Sequence, residues 1–133
     1  MFRLINRFLK PTAAERKVSI QSNAFIPTYD IFKFASFSED DRVKNIVFIG
    51  EKGLLDGVPL MIWVFEHESS QSVVFSALKR VQNFPDKRQF VKWLQVVSDR
   101  FSSQSLEPYF TFALFKLGEI TEDEMKSRLN HEK

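Results

Sequence analysis

The chain has 133 residues, of which 44% are hydrophobic and 27% charged, and its formal net charge is +2. This is the balance of an ordinary soluble globular protein, long enough to bury roughly two thirds of its unfolded surface in one domain. With no cysteine, a disulfide framework, a thiolate nucleophile and a Cys-type zinc site are excluded, which suits a cytoplasmic location.

In the N-terminal segment Met1, Leu4, Ile5 and Phe8 share one helical face, while Arg3, Asn6, Arg7 and Lys10 share the other. This pattern predicts a basic amphipathic helix. Such a helix closes the end of a helical array, lies on an anionic membrane or docks a partner, and the first is preferred because one ten-residue segment binds membranes weakly. Thr12 with Glu15 matches a capping box and predicts a second helix from 13 to about 20. Within residues 1–17 five cations face one acid, giving +4, so the rest of the chain holds 14 basic and 16 acidic side chains. Cations interrupt the apolar residues of Met1 to Lys10, and no run of 18 apolar residues occurs. Neither a secretory signal nor a membrane span is expected.

Thr28 is placed to cap a helix over 28–36 carrying Ile31, Phe32 and Ala35. After the polar turn at 38–41, apolar residues at 43, 46, 47 and 49 predict a helix over 42–50 that closes on Gly50. Asp56 as cap and Pro59 in the first turn predict the next helix, over 58–67. The β-branched and aromatic residues of 46–65 also fit two strands joined by the glycine-containing loop 50–57. Helix caps on both flanks, and recurrence of the pattern at 73–81, favour helices.

A helix over 72–82 follows, and then Asp86 is expected to cap a helix over 86–101 on which Phe90, Leu94, Val97 and Phe101 recur at helical spacing. A helix over 105–117 should stop at Gly118. The last helix, 121–129, has the fullest local signature: Thr121 with Glu124 forms a capping box, and Ile120 with Met125 a hydrophobic staple. Asp123 adds negative charge at the positive end of that helix's dipole. The expected fold is all-α, about eight helices in a single domain, with Ile46, Ile49, Leu60, Phe65, Leu78, Leu94 and Leu114 in its core. The 15 phenylalanines, rings with no polar handle, are read as packing material.

Val43 to Val73 is a step of thirty residues and Pro27 to Pro59 a step of thirty-two, periods characteristic of helical repeats. Val43-Lys44-Asn45-Ile46 leading to Ile49-Gly50, then Val58-Pro59-Leu60, then Val73 leading to Ala77-Leu78, resembles the helix-pair grammar of short HEAT-like repeats over about residues 27–118. The resemblance implies a binding scaffold without inherent catalysis, flanked by basic helices in 1–20 and by a C-terminal helix over 121–130.

Catalytic and metal-binding chemistry is sparse. His67 and His131 are the two histidines, and consecutive residues such as Glu66-His67-Glu68 point about 100° apart on a helix. Gly50, Gly53 and Gly57 match neither phosphate-loop spacing. No metal, no cofactor and no enzymatic activity are expected. Two charged surfaces remain. With helices alternating up and down, the turns at 38–41, 66–70 and 102–107 fall on one edge and bring Glu39, Asp40, Asp41, Glu66 and Glu68 together as an acidic rim. On the opposite side Lys79, Arg80, Lys87, Arg88 and Lys92, near Phe84 and Trp93, form a basic face with the composition of a nucleic-acid site. The rim is preferred. It points to a protein that binds another, basic protein, of the immunity or antitoxin type that masks a toxin such as a nuclease; the alternatives are a nucleic-acid binder, an adaptor in a larger assembly, or an enzyme whose residues converge only in three dimensions.

Overall fold

The computed structural model describes residues 25–101 and 104–130. Within them the chain forms seven α-helices and no strand: α1 (Ile31–Ala35), α2 (Glu39–Lys52), α3 (Val58–His67), α4 (Gln71–Leu78), α5 (Val91–Arg100), α6 (Glu107–Lys116) and α7 (Glu122–Asn130). The all-α expectation holds, with seven helices rather than eight among the described residues. The two basic helices expected before residue 21 lie outside them. The hairpin alternative for 46–65 is ruled out, because that stretch is the end of α2, a 3-10 turn at Leu55–Gly57 and most of α3.

The helix ends follow local chemistry, sometimes at residues other than those expected. Asp30, not Thr28, caps α1 by accepting the Phe32 N–H at 3.1 Å. Thr28 is held instead by Asn45, whose Oδ1 accepts the Thr28 N–H at 2.7 Å and whose Nδ2 donates to the Thr28 carbonyl at 3.0 Å. This buried amide ties the extended segment before α1 to the middle of α2. α2 begins three residues earlier than expected, since Ser38 caps it and puts Glu39, Asp40 and Asp41 in the first turn, at the positive end of the dipole. It also runs past Gly50 to Gly53, where φ is +61° and the Gly53 N–H reaches the Ile49 carbonyl at 3.0 Å.

Gly57, not Asp56, occupies the cap position of α3. Ser70 caps α4, which ends at Leu78 rather than 82; a 3-10 turn over Val81–Asn83 takes up the remainder. Asp86, expected as a cap, is left-handed at φ 48° and opens a 3-10 turn, Lys87–Phe90, so that α5 starts only at Val91. Gly118, at φ 82°, ends α6 as its position predicts. The Glu119 N–H returns to the Leu114 carbonyl at 2.9 Å. Thr121 accepts the Glu124 N–H at 3.1 Å, and Ile120 packs with Met125 against Phe112 and Leu129, so the capping hydroxyl and the staple are both formed.

Alternate helices stack. α2 packs on α4 and α4 on α6, while α3 packs on α5, with α1 against α2 at one end and α7 against α6 at the other. The core between these rows contains Ile46, Ile49, Leu60, Phe65, Leu78 and Leu94, each at most 1% exposed. Leu114 is the exception, half-buried at the edge of the cluster. Phenylalanines join the layers edge to face: Phe65 meets Phe90 at 6.1 Å and Phe84 meets Phe90 at 5.5 Å between ring centres.

Candidate functional site

The up-and-down path brings three turns to one edge. Ser70 Oγ donates to Glu39 Oε2 at 2.5 Å, which joins the turn before α4 to the start of α2. Arg42 grips Glu68 from α2 through two parallel bonds, Nε to Oε1 at 2.9 Å and a terminal nitrogen to Oε2 at 3.1 Å. Arg100, at the end of α5, donates to the carbonyls of Phe65 and Glu68 at 2.6 Å each. Ser105 Oγ reaches Gln71 Oε1 at 3.4 Å.

These bonds bring Glu39 and Glu68 of the predicted rim into one network, and its five acids have different tasks. Glu68 is 3% exposed, paired with Arg42, and also accepts the Ser70 N–H at 3.0 Å; it is closed off from any partner. Glu39 is engaged by Ser70. Asp41 lies 3.7 Å from Lys44. Asp40 and Glu66 are exposed. Among the described residues of this edge, Arg42, Lys44 and Arg100 stand against the five carboxylates. His67 Nε2 lies 4.0 Å from Glu66, and among the described residues no three His, Asp or Glu side chains are grouped to hold a metal.

The five cations of the predicted basic face are divided among separate environments. Lys79 is 8% exposed, with its Nζ 5.9 Å from the Tyr109 ring centre. Arg80 donates to the Ser76 carbonyl at 2.9 Å and faces Glu51 at 3.4 Å. Arg88 pairs with Glu119 at 2.6 Å, and Lys92 stands over Trp93 at 5.4 Å. Lys87 is exposed. Phe84, which stacking on a base would require at the surface, is 4% exposed and packs on Phe90.

Two features come only from the folded chain. The first is a pocket of about 340 Å³ where the turn after α4 meets α6. Lys79, Arg80, Gln82 and Asn83 form one side, Phe112 and Lys116 the other, and the exposed Glu51 joins them. The second is a strip of exposed apolar side chains: Ile26, Tyr29, Phe32, Leu54 and Leu55, with Phe32 87% and Leu55 65% exposed. The two segments that carry these side chains approach each other at one point, where the Tyr29 ring lies 3.6 Å from the place a Cβ on Gly57 would take. Leu54-Leu55 between two glycines was the available sequence signal for this strip. The pocket had none, because Arg80 and Lys116 are joined only by the packing of α4 on α6.

No family model, no curated protein and no solved structure matches the chain. No helix of the described residues is long and apolar enough to cross a membrane.

Proposed function

We propose that this protein is a non-catalytic binding module, built of HEAT-like antiparallel helix pairs, that recognises another protein. The observation that carries the reading is the apolar strip. Large hydrophobic side chains exposed on neighbouring segments are a usual mark of a protein-binding surface, whereas isolated ones are not. The repeat reading draws on the stacking of alternate helices, first helices on first and second on second, which is how paired helical repeats extend a continuous core. The non-catalytic reading draws on the tasks of the charged groups near the turns: Glu68, Glu39 and Arg100 hold helix ends together.

The partner is a basic protein, of the kind an immunity-type inhibitor masks. Asp40, Asp41 and Glu66 lie on an edge with an excess of negative charge, and α1 leads from the apolar strip to the Ser38 turn that opens this edge. Charge there steers the encounter and the apolar strip holds the complex. The test is purification of the tagged chain from its native host at low and high salt, followed by the same purification with Phe32→Ser and Leu55→Ser together. A basic protein retained by the parent and lost by the variant supports the reading; equal retention by both removes the strip from it.

A further inference from the structure

Phe32 is 87% exposed, the highest value among the large hydrophobic side chains of the described residues, while Phe34, two residues on, is fully buried. Residues two apart on a helix point about 200° apart, so a Phe34 held inside turns Phe32 to solvent. Phe34 is held: its ring meets Trp63 edge to face at 5.8 Å and Phe37 at 6.5 Å between ring centres. With five residues, α1 is too short to keep its shape by itself. Its surroundings must supply the order.

A chain of hydrogen bonds supplies it from the core. Asn45, fully buried in the middle of α2, makes two bonds to the backbone of Thr28. Thr28 Oγ1 accepts the Asp30 N–H at 3.0 Å, and Asp30 Oδ1 accepts the Phe32 N–H at 3.1 Å. At the far end of α1 the Ser36 hydroxyl donates to the Lys33 carbonyl at 2.6 Å. A buried amide whose Oδ1 and Nδ2 both go to one residue of an extended segment fixes where that segment lies. The backbone beneath the exposed ring is thus ordered in the free protein. Ordering met during folding is not met again on association, which is what pre-organisation contributes to affinity.

We infer, resting on the protein-binding reading above, that Phe32 anchors the basic partner by entering an apolar pocket on that protein, and that Asn45 is its positioning residue. Aromatic side chains are enriched among the few interface residues that carry most of the binding energy. A ring on an ordered backbone has only its two side-chain torsions left to lose on burial. α1 runs into the Ser38 turn, where the exposed Asp40 begins the acidic edge. The charge that draws the partner in and the ring that holds it therefore lie on consecutive segments.

The test is the dissociation rate of the basic protein isolated with the parent chain at low salt, measured for Phe32→Ala, Leu55→Ala, Asn45→Ala and the pair Phe32→Ala with Asn45→Ala. Phe32→Ala should speed dissociation about thirtyfold or more, the loss typical of a dominant interface residue, and Leu55→Ala less than about tenfold. Asn45→Ala should speed it about fivefold in the parent, the order of one net hydrogen bond, but change little once Phe32 is alanine. A merely structural role of Asn45 would give no such coupling. Asp30→Ala, at an exposed residue, repeats the same comparison at the other end of the chain of bonds if Asn45→Ala does not fold. A parent-like rate for Phe32→Ala, or an equal or larger effect of Leu55→Ala, overturns the anchor; the protein-binding reading still stands if the Phe32→Ser and Leu55→Ser variant loses the partner. Equal losses from Asn45→Ala or Asp30→Ala with and without the Phe32 ring overturn the positioning role. A parent chain that retains no basic protein removes the reading and the inference together.

Discussion

Arg42 and Glu68, twenty-six residues apart, form a two-pronged ion pair in which Glu68 is 3% and Arg42 19% exposed. The same Arg42 donates to the Phe37 carbonyl at 2.8 Å, so it closes the turn before α2 as well as the end of α3. Arg42→Ala leaves a buried carboxylate without its cation. Loss of one partner of such a pair typically destabilises by about 3 to 5 kcal/mol. Urea melts of this variant should show a loss of that order. An unchanged midpoint would mean that solvent replaces the guanidinium without penalty.

Two glycines near the end of α2 should respond differently to alanine. At Gly53 the backbone is left-handed, and a Cβ would collide with the Asn83 carbonyl oxygen. Neither backbone yields easily, so Gly53→Ala should be clearly destabilising, by roughly 1 to 3 kcal/mol. At Gly50 the obstacle is the side chain of Arg80, and alanine regains about 1 kcal/mol of helix propensity. Gly50→Ala should therefore lose less stability than Gly53→Ala in thermal melts. It should also displace Arg80 from Glu51, visible as a change in the Arg80 Nε–H resonance.

Leu78 is fully buried between α4 and its neighbours, and Leu114 is only half-buried. Leu78→Ala should be destabilising by about 2 to 5 kcal/mol. Leu114→Ala should fall below that range, because water already reaches part of the side chain. Denaturant unfolding of the pair checks the order, and equal losses would contradict the placement of Leu114 at the core margin.

Much of this helical framework was legible because its signals are local. Pro59, Gly118 and the Thr121–Glu124 pair act within one or two turns, and the period-3.6 pattern of Phe90, Leu94 and Val97 identifies α5 before any packing is known. Boundaries moved where a distant residue decided them. Gly50 has the appearance of a helix end, but the approach of Arg80 requires its missing side chain, and the helix continues to Gly53. Asp86 resembles a cap, yet its left-handed backbone places it in the turn.

The charged surfaces were less legible than the helices. Alternating helix direction places the acidic turns on one edge, and the Ser70–Glu39 and Arg42–Glu68 bonds join them there. What a one-dimensional reading misses is burial: Glu68 and Lys79 look like surface charges by type and position, and both lie inside. The pocket that joins Arg80 to Lys116 depends on contacts between α4 and α6 that leave no pattern in either segment alone.

In the proposed function the exposed apolar side chains, steered by the acidic edge, hold a basic protein partner. Phe32 and Leu55 are exposed enough that serine at both should change folding stability by no more than about 0.5 kcal/mol per site. The most direct measurement is therefore the association and dissociation kinetics of the co-purified partner with three forms of the chain at two ionic strengths. These are the parent, the Phe32→Ser and Leu55→Ser variant, and the Asp40→Lys, Asp41→Lys and Glu66→Lys variant. The account predicts faster dissociation for the apolar variant at both salts, and slower association with a flattened salt dependence for the charge-reversed one. Parent-like rates for both variants, with their folding intact, would contradict it.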